Sequence, residues 1–262
     1  MAQEYWKNKH VVVTGGAFGI GRCLVEEFSK EGAVVAFLDK EKPPGEALET
    51  ALRQKGYAVH FFPGDAGQEK TLESFAVFIK ERLLDVDVLI NNACLSHKGI
   101  LSGCTYDKFN EVLRVGVAAP YYLTSLLLPL FSENASVLNL SSTRARQSQS
   151  DTESYTAAKG GISALTHALS VSLKGKVRVN SISPGWIDTG EYQEHGRLYD
   201  YTKADIEQHP SRRVGNPMDI FRAACFLCDE KNSFINGQNL TVDGGMSRLM
   251  VYAGDEGWSY QG

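Results

Sequence analysis

The segment that most restricts the fold lies near the N-terminus, where a β-branched run passes through glycines into a helical pattern. His10–Thr14 reads HVVVT, which predicts a buried strand, and residues 22–28 have helical spacing. A strand, a glycine-rich turn and a helix together form the context of a dinucleotide site, because glycines let the backbone approach a pyrophosphate at the positive helix end. The spacing here is T-G-x-x-x-G-x-G rather than G-x-G-x-x-G, so a plain glycine-rich hairpin is the alternative.

A second apolar run, residues 33–38, predicts another strand and ends at Asp39. An acid about 20 residues past the glycines accepts hydrogen bonds from adenosine ribose hydroxyls. Its charge would repel a 2′-phosphate, which favours NAD over NADP. Lys40 is the reason to keep NADP as the alternative, because a neighbouring cation can accommodate that phosphate.

Chemistry is indicated by Ser142, Tyr155 and Lys159. Tyrosine and lysine at i and i+4 share one helix face. An ammonium group beside a phenol favours the phenolate, and such a phenol can exchange a proton with an alcohol or a carbonyl near neutral pH. Taken alone, the pair is better explained as a surface pair on an ordinary helix, and the other motifs of the chain are what favour chemistry.

The size and alternation of the chain predict one domain. With 262 residues and 43% apolar content it can bury a substantial core. Strands alternate with helices from His10 to Val242, which indicates a parallel sheet covered on both faces. The net charge of −4 argues against a nucleic-acid partner. The N-terminus lacks an apolar signal core and no stretch reads as long enough to span a bilayer, so we expect a cytoplasmic protein without a membrane partner.

The motifs together resemble the classical short-chain dehydrogenase/reductase family over nearly the whole chain. They follow the family's order and spacing: Thr14 to Gly21, Asp65, Asn91-Asn92-Ala93, Ser142/Tyr155/Lys159, Pro184-Gly185 and Val242-Asp243-Gly244-Gly245. The resemblance implies a single Rossmann-type, doubly wound α/β domain over residues 1–262, with about seven parallel strands and helices on both faces. It also implies a homotetramer or homodimer, with Tyr121, Tyr122 and Leu126 on one interface helix and Ala164, Leu165 and Ala168 on the other.

The same resemblance assigns the site. Ser142, Tyr155 and Lys159 would act in catalysis. Asp65 and Asn91 would contact the adenine side of the cofactor, and Ile187 and Thr189 would hold the nicotinamide and its carboxamide. The full set of expected cofactor residues is Gly15, Phe18, Gly19, Ile20, Gly21, Asp39, Asp65, Ala66, Asn91, Ala93, Tyr155, Lys159, Pro184, Gly185, Ile187 and Thr189.

One position departs from the family pattern. Gly116 stands where many members carry an asparagine that completes a Ser-Tyr-Lys-Asn tetrad. Pro120, four residues later, has no N–H and cannot bond the Gly116 carbonyl, so this carbonyl should be free in an opened helix turn. We expect Gly116 to join the catalytic set through a water held at that carbonyl. A degenerate enzyme, kept for cofactor sensing or as a scaffold, is the alternative.

The substrate is the least determined part of the sequence. Residues 188–213 should form a lid, in which Tyr192 and Tyr199 offer apolar faces with polar tips. Arg144 and Arg146 follow Ser142, and either one suits a carboxylate or phosphate unless it pairs with Asp151 or Glu153. The expected reaction interconverts a secondary alcohol and a ketone, with a hydroxysteroid (bile-acid type) or a sugar or polyol as substrate. A 3-oxoacyl-type reductase is the other possibility, disfavoured by Asp39.

The cysteines, histidines and C-terminal tail carry weaker expectations. Five cysteines show no disulfide spacing, and Cys225 and Cys228 form a C-x-x-C that reads as helix packing. Cys94 also reads as packing beside the nicotinamide. No histidine pair has zinc-ligand spacing, so we expect no metal. The tail, residues 246–262, would either close a neighbouring subunit's pocket or be a frayed end.

Overall fold

A seven-stranded, wholly parallel sheet forms the centre of the computed structural model, which describes residues 5–194, 196 and 199–250. The strands are β1 (His10–Thr14), β2 (Val34–Asp39), β3 (Val59–Pro63), β4 (Val86–Asn91), β5 (Phe131–Leu140), β6 (Arg178–Pro184) and β7 (Asn239–Val242). Their order across the sheet is 3-2-1-4-5-6-7. The predicted doubly wound α/β fold is confirmed.

The strand order reverses between β1 and β4, and this reversal positions the site. Val12 of β1 pairs with Ala36 of β2 on one side and with Leu89 of β4 on the other. The chain leaves β1 toward one edge of the sheet and returns at β4 to build the other half. A crevice opens outside the carboxyl ends of such strands, and ligands of open α/β sheets bind there.

Helices cover both faces of the sheet. They are α1 (Gly19–Lys30), α2 (Lys42–Gln54), α3 (Glu69–Leu83), α4 (Tyr106–Leu113), α5 (Ala119–Leu127), α6 (Glu153–Ser172), α7 (Lys203–Glu207) and α8 (Pro217–Cys228). Phe28 of α1 and Phe221 of α8 pack edge to face on one side, with ring centroids 5.0 Å apart. Phe75 of α3 and Leu123 of α5 belong to the core on the other side. Each face therefore has its own apolar layer.

A widened turn joins α4 to α5. Residues Arg114–Ala118 form a π-helical turn, in which the Ala119 amide donates to the Arg114 carbonyl five residues back. Pro120 follows at once and cannot donate the bond that a regular helix needs, which accounts for the opening at this point. The predicted bend at Gly116 and Pro120 is confirmed.

The expectation that no stretch is long enough to cross a bilayer was wrong. Tyr106–Leu130 forms a run of 25 helical residues whose most apolar window has a mean hydropathy of 1.3, sufficient in length and composition. Thr124, Ser125 and Pro129 do not shorten it, because a helix continues through them. Leu123 and Leu127 of this run are fully buried against the sheet, which is the position of a core helix.

The other expectations about segments fall partly outside the described residues. Cys228 on α8 is buried and Cys225 half-buried, and burial raises the pKa of their thiols to about 11 and about 12. This agrees with a packing role. Of the predicted lid, residues 195, 197 and 198 lie outside the description, and so do residues 251–262 of the predicted tail.

Candidate active site

The glycine-rich turn between β1 and α1 bounds a cleft of about 320 Å³. Gly15 and Gly19 have φ angles of +70° and +58°, a region that favours glycine. A Cβ atom on Gly21 would lie 1.8 Å from the Gly15 carbonyl oxygen, so a side chain there would force the helix away from the strand. Phe18, at the start of α1, supplies no capping side chain, and the first-turn amides are left for a ligand at the positive helix end.

Most residues expected to bind a dinucleotide lie in the wall of this cleft. They are Gly15, Phe18, Gly19, Ile20, Asp39, Asp65, Ala66, Ala93 and Thr189. Asp39 ends β2, and its carboxylate accepts from the Ala17 amide at 2.9 Å and from the Glu41 amide at 3.0 Å. Lys40 also lines the cleft. The backbone cradle, the carboxylate at the end of β2 and the switch-point location together fit NAD or NADP.

Two polar motif residues to which the sequence analysis assigned no role, Thr14 and Asn92, hold the glycine turn in place. The side-chain amide nitrogen of Asn92 donates to the backbone carbonyls of Thr14 and Gly15 at 3.1 and 2.8 Å. The Thr14 hydroxyl in turn accepts from the backbone amides of Asn92 and Ala93, each at 3.1 Å. These bonds join the glycine turn to the end of β4.

Asn91, the other asparagine of the Asn91-Asn92-Ala93 motif, turns away from the cleft. Its side chain is buried and donates to Asn139 at 2.9 Å, and Asn139 donates to Thr166 at 3.0 Å. The side chain of Asn91 thus fastens β4 to β5 and α6. A contact between Asn91 and adenine stays a prediction, and within this geometry it would be made by the backbone.

A second cavity, of about 720 Å³, adjoins the first and contains Ser142 and Tyr155. Residues close in sequence line the two spaces: Leu95 and Thr189 line the cleft, whereas Ser96 and Ile187 line this cavity. Its wall consists of Ser96, Ser142, Thr143, Arg144, Gln149, Tyr155, Gly185, Trp186, Ile187, Gln208 and Met246. Two of the four predicted catalytic residues, Ser142 and Tyr155, therefore face a common space beside the dinucleotide cleft.

Lys159 lies beneath the tyrosine. It is buried, its ammonium group donates to the Leu140 carbonyl at 2.7 Å, and its Nζ is 5.4 Å from the centroid of the Tyr155 ring. Ser141, adjacent to Ser142, donates to the Lys159 carbonyl at 3.0 Å and so connects the end of β5 to α6. The spacing of Ser142, Tyr155 and Lys159 in the sequence thus corresponds to one cluster in space.

Gly116 occupies the π turn next to this cluster. A Cβ atom there would lie 2.9 Å from the Cβ of Ala158, the residue before Lys159. The close approach of the turn to α6 explains why glycine, rather than asparagine, suits this chain. The water relay through the Gly116 carbonyl stays a prediction.

The predicted substrate residues separate into two groups. Arg144 lies in the cavity wall, with its guanidinium carbon 5.8 Å from the Tyr155 ring centroid. Tyr192 is buried in the core beside Cys23, and Tyr199 is half-exposed, stacked on Tyr201. Neither tyrosine is among the residues that line the cavity. Trp186, Gln208 and Met246 line it instead, and no short motif marked them.

Two further side-chain features bear on earlier expectations. Cys94 is exposed in the cleft wall rather than packed, so that expectation was wrong. At the opposite end of the sheet, His10, Asp85 and Asp87 bring potential ligand atoms within 4.8 Å of one another. The Lys9 ammonium already contacts Asp87 at 3.2 Å, and this group is remote from the catalytic cluster.

Comparisons with known proteins agree with this geometry. The family model described as enoyl-(acyl carrier protein) reductase matches residues 15–247. The chain is 38% identical over 252 residues to an uncharacterized oxidoreductase of Thermotoga maritima, spanning 94% of this chain and 98% of that protein. It is 35% identical over 247 residues to the L-fucose dehydrogenase of Mus musculus, spanning 92% and 89%.

A solved structure shares the whole architecture. The apo SCOR enzyme from Clostridium thermocellum matches with a TM-score of 0.85 at 40% identity, over 97% of this chain and 99% of that one. The family model's match runs from the glycine turn to beyond β7, and the solved structure covers nearly the whole chain. The protein is therefore an oxidoreductase that belongs to the short-chain dehydrogenase/reductase family.

Proposed function

We propose that this oxidoreductase interconverts a secondary alcohol and a ketone, with NAD as the preferred cofactor. The observation that carries the proposal is the shared cavity of Ser142 and Tyr155, which adjoins the dinucleotide cleft at Leu95 and Ser96. A substrate in this cavity would lie beside the Tyr155 phenol and next to the cleft that would hold the cofactor. Both halves of the reaction, hydride exchange and proton exchange, then have an adjacent partner.

In this proposal the chain supplies binding and proton transfer. NAD, when bound, accepts or supplies the hydride. Ser142 hydrogen-bonds the reacting oxygen, and Tyr155 takes the alcohol proton in oxidation or returns it in reduction. The buried Lys159 ammonium, 5.4 Å from the ring centroid, stabilises negative charge on the phenol oxygen. The cleft would hold the cofactor through the amides of the glycine turn and the Asp39 carboxylate.

The character of the cavity favours a sugar or polyol over a hydroxysteroid. Its wall is rich in hydroxyl, amide and guanidinium groups, and the lid tyrosines that would have provided apolar faces lie outside it. Polar walls suit a substrate with several hydroxyl groups, because each desolvated polar group needs a partner. The relative from Mus musculus named L-fucose dehydrogenase supports the same class.

A 3-oxoacyl-type reductase is the second candidate, and a relative from Chlamydia pneumoniae named 3-oxoacyl-[acyl-carrier-protein] reductase, 30% identical over 243 residues, favours it. The two candidates differ in cofactor and substrate. Initial rates of NADH formation from a panel of sugars, polyols, bile acids and steroids, with NADP in parallel, separate them. Turnover of sugars or polyols with NAD supports the proposal, whereas activity confined to NADPH and 3-oxoacyl thioesters would replace it. Silence of the panel with intact NADH binding would favour the sensor alternative.

Asp39→Ala tests the cofactor preference. The carboxylate ends β2 in the cleft wall and accepts bonds from two backbone amides. Loss of a hydrogen bond to a charged group corresponds to a drop of about 10-fold in NAD affinity, while Lys40 remains to attract a 2′-phosphate. The ratio of kcat/KM for NAD to that for NADP should fall in the variant. A wild-type enzyme that already prefers NADP would disprove this role of Asp39.

We further propose that the protein assembles as a homodimer or homotetramer through α5 and α6. Tyr121 on α5 is 55% exposed and Val171 on α6 is 70% exposed, although both are apolar. Ala164 and Ala168 are also exposed on α6. Small and apolar side chains on neighbouring helices suit a symmetric contact. Light scattering of the wild type and of a Val171→Glu variant tests this assembly.

A further inference from the structure

The distribution of charge in the substrate cavity carries an inference beyond a neutral sugar. Among the described residues that form the cavity wall, Arg144 is the only one with a formal charge at neutral pH. The rest of the wall offers hydroxyl, amide, indole and thioether groups. A lone guanidinium in such a wall attracts an anion and accommodates a neutral ligand less well.

The guanidinium of Arg144 is held in place without being neutralised. It donates to the side-chain oxygen of Gln149, which is uncharged. Within the described parts of the chain, no carboxylate lies close enough to the Arg144 guanidinium to form an ion pair, for which the limit is 4.0 Å. The positive charge of Arg144 therefore stays available to a ligand.

The two acids nearest in sequence are occupied elsewhere. Asp151 accepts from the backbone amides of Leu101 and Ser102, at 2.9 and 3.0 Å. Glu153 accepts from the amide of Ile100 at 3.2 Å. Both acids bind the turn that follows β4, so the alternative that Arg144 pairs with one of them does not apply. The same bonds keep both carboxylates from competing with an anionic substrate for the guanidinium.

The position of Arg144 relates its ligand to the reacting carbon. Its guanidinium carbon lies 5.8 Å from the centroid of the Tyr155 ring, on the cavity side of the catalytic cluster. If the reacting carbinol carbon lies beside Ser142 and Tyr155, the substrate group that binds Arg144 would be only a few bonds from that carbon. A single guanidinium matches the charge of a carboxylate. Arg146, the cation that could complete a phosphate site, lines the neighbouring cavity with Arg248; that cavity shares Ser142 and Thr143 with the substrate cavity, but Arg144 does not line it.

We propose that the substrate is a polyhydroxy acid, or the corresponding keto acid, and that Arg144 selects it by binding its carboxylate. The assignment rests on the proposed alcohol–ketone reaction. It deepens that reaction by naming the substrate class and the residue that determines it. Arg144 pairs with the carboxylate, Gln149 holds the guanidinium, and the hydroxyl and amide groups of the wall meet the substrate hydroxyls.

Matched pairs of substrates test the proposal. Gluconate is compared with glucitol, galactonate with galactitol and ribonate with ribitol, at saturating NAD. In the wild type, kcat/KM for the preferred acid should exceed that for its neutral partner by about 10-fold or more. Arg144→Gln should lower the value for the acid by about 10- to 100-fold and change that for the neutral partner less than about three-fold. Arg144→Lys should restore only part of the loss, because an ammonium lacks the bidentate geometry.

Arg146→Gln is the matched control. Arg146 is exposed, stands two residues from Arg144 and lines the neighbouring cavity. The substitution Arg146→Gln therefore removes the same charge at a side chain that does not line the substrate cavity. It should leave the preference for the acid unchanged. An equal loss in both variants would mean that a general field, and not a contact, selects the acid, and would overturn the assignment to Arg144. Thermal unfolding of each variant establishes that the fold is intact.

A binding measurement separates failure of this inference from failure of the proposed reaction. Calorimetric titration of the NADH complex with the same acids and polyols requires no turnover. If the wild type binds the acids, Arg144→Gln does not, and the wild type oxidises none of the alcohols, then the anion site is supported and the proposed reaction is refuted. If polyols are turned over as fast as the acids or faster, the proposed reaction is supported and the selection of a substrate carboxylate by Arg144 is refuted. Absence of acid binding in the wild type would also refute it, and would leave Arg144 as a cation stacked on Tyr155.

Discussion

The dinucleotide cleft and the substrate cavity share a wall but are built in different ways. The glycine-turn side of the cleft is formed by backbone and short side chains at successive positions, and the Gly15 turn is fastened by Thr14 and Asn92. The cavity is formed by side chains from separate segments, such as Ser96 after β4 and Trp186 after β6. A site made of backbone needs particular residues at fixed spacing. A site made of side chains needs only that distant segments meet.

The largest effect is expected at the boundary of the two regions, from Tyr155→Phe. Removing the phenol oxygen removes the proton acceptor and should lower kcat by about 10³-fold. Because the ring remains in the cavity wall, the NADH dissociation constant should change little. Stopped-flow rates and a fluorescence titration of NADH measure the two quantities. Turnover that survives in the variant would remove Tyr155 from the mechanism.

The next largest effect should come from the backbone-built region, where Gly21→Ala introduces a Cβ atom 1.8 Å from the Gly15 carbonyl. The turn or the helix must shift, and a misplacement of this size lowers kcat/KM by about 100-fold. Gly160→Ala is the matched control, since its Cβ would meet no atom within 4 Å. It should stabilise α6 by up to about 1 kcal/mol. Equal NADH affinity in both variants would contradict a steric requirement at Gly21.

The contrast between the regions explains how far the sequence could predict the structure. The order of strands and helices and the glycine turn follow from local patterns, and they are confirmed. The bend at Pro120 was also predictable, because a missing N–H has a local consequence. Tyr192 was misplaced because its position in a loop says nothing about what it packs against. It is buried beside Cys23, and burial together with this contact raises its pKa.

Contacts between distant segments account for the other omissions. Asn92 bonds carbonyls 77 and 78 residues away, and Trp186, Gln208 and Met246 meet only in the folded chain. The length of the Tyr106–Leu130 helix was underestimated for a related reason. Thr124, Ser125 and Pro129 interrupt the apolar run in the sequence, but the helix continues through all three of them.

A smaller effect is expected for Gly116→Asn, which tests whether the site has been rebuilt around glycine. The new Cβ atom would lie 2.9 Å from that of Ala158, and overpacking of this kind costs about 1–3 kcal/mol. The free energy of unfolding should fall by that amount. The value of kcat should also fall, because a shift of α6 displaces Lys159, which this helix carries. Chemical denaturation and initial rates measure the two changes.

A double-mutant cycle with Ala158→Gly provides the control for Gly116→Asn. Removing the Ala158 methyl group removes the close contact, so the double variant should be more stable than the sum of the single effects predicts. Additive effects would mean that the contact does not determine the residue at position 116. A large gain in rate in Gly116→Asn would mean that the native site is crippled, and would favour the sensor alternative.

The smallest effect concerns the side-chain-built region, where Tyr201→Phe should loosen the lid. The Tyr201 hydroxyl donates to Asp188, whose other oxygen accepts from the Gly190 amide at 2.8 Å, so one carboxylate joins the start of the predicted lid to its middle. Burial and this carboxylate raise the pKa of Tyr201 to about 12, which keeps the hydroxyl a donor throughout the working pH range. Its loss should raise the substrate KM about five-fold while kcat changes little. Tyr106→Phe, at an exposed position on α4, should change neither parameter, and an equal effect in both variants would exclude a lid anchored at Asp188.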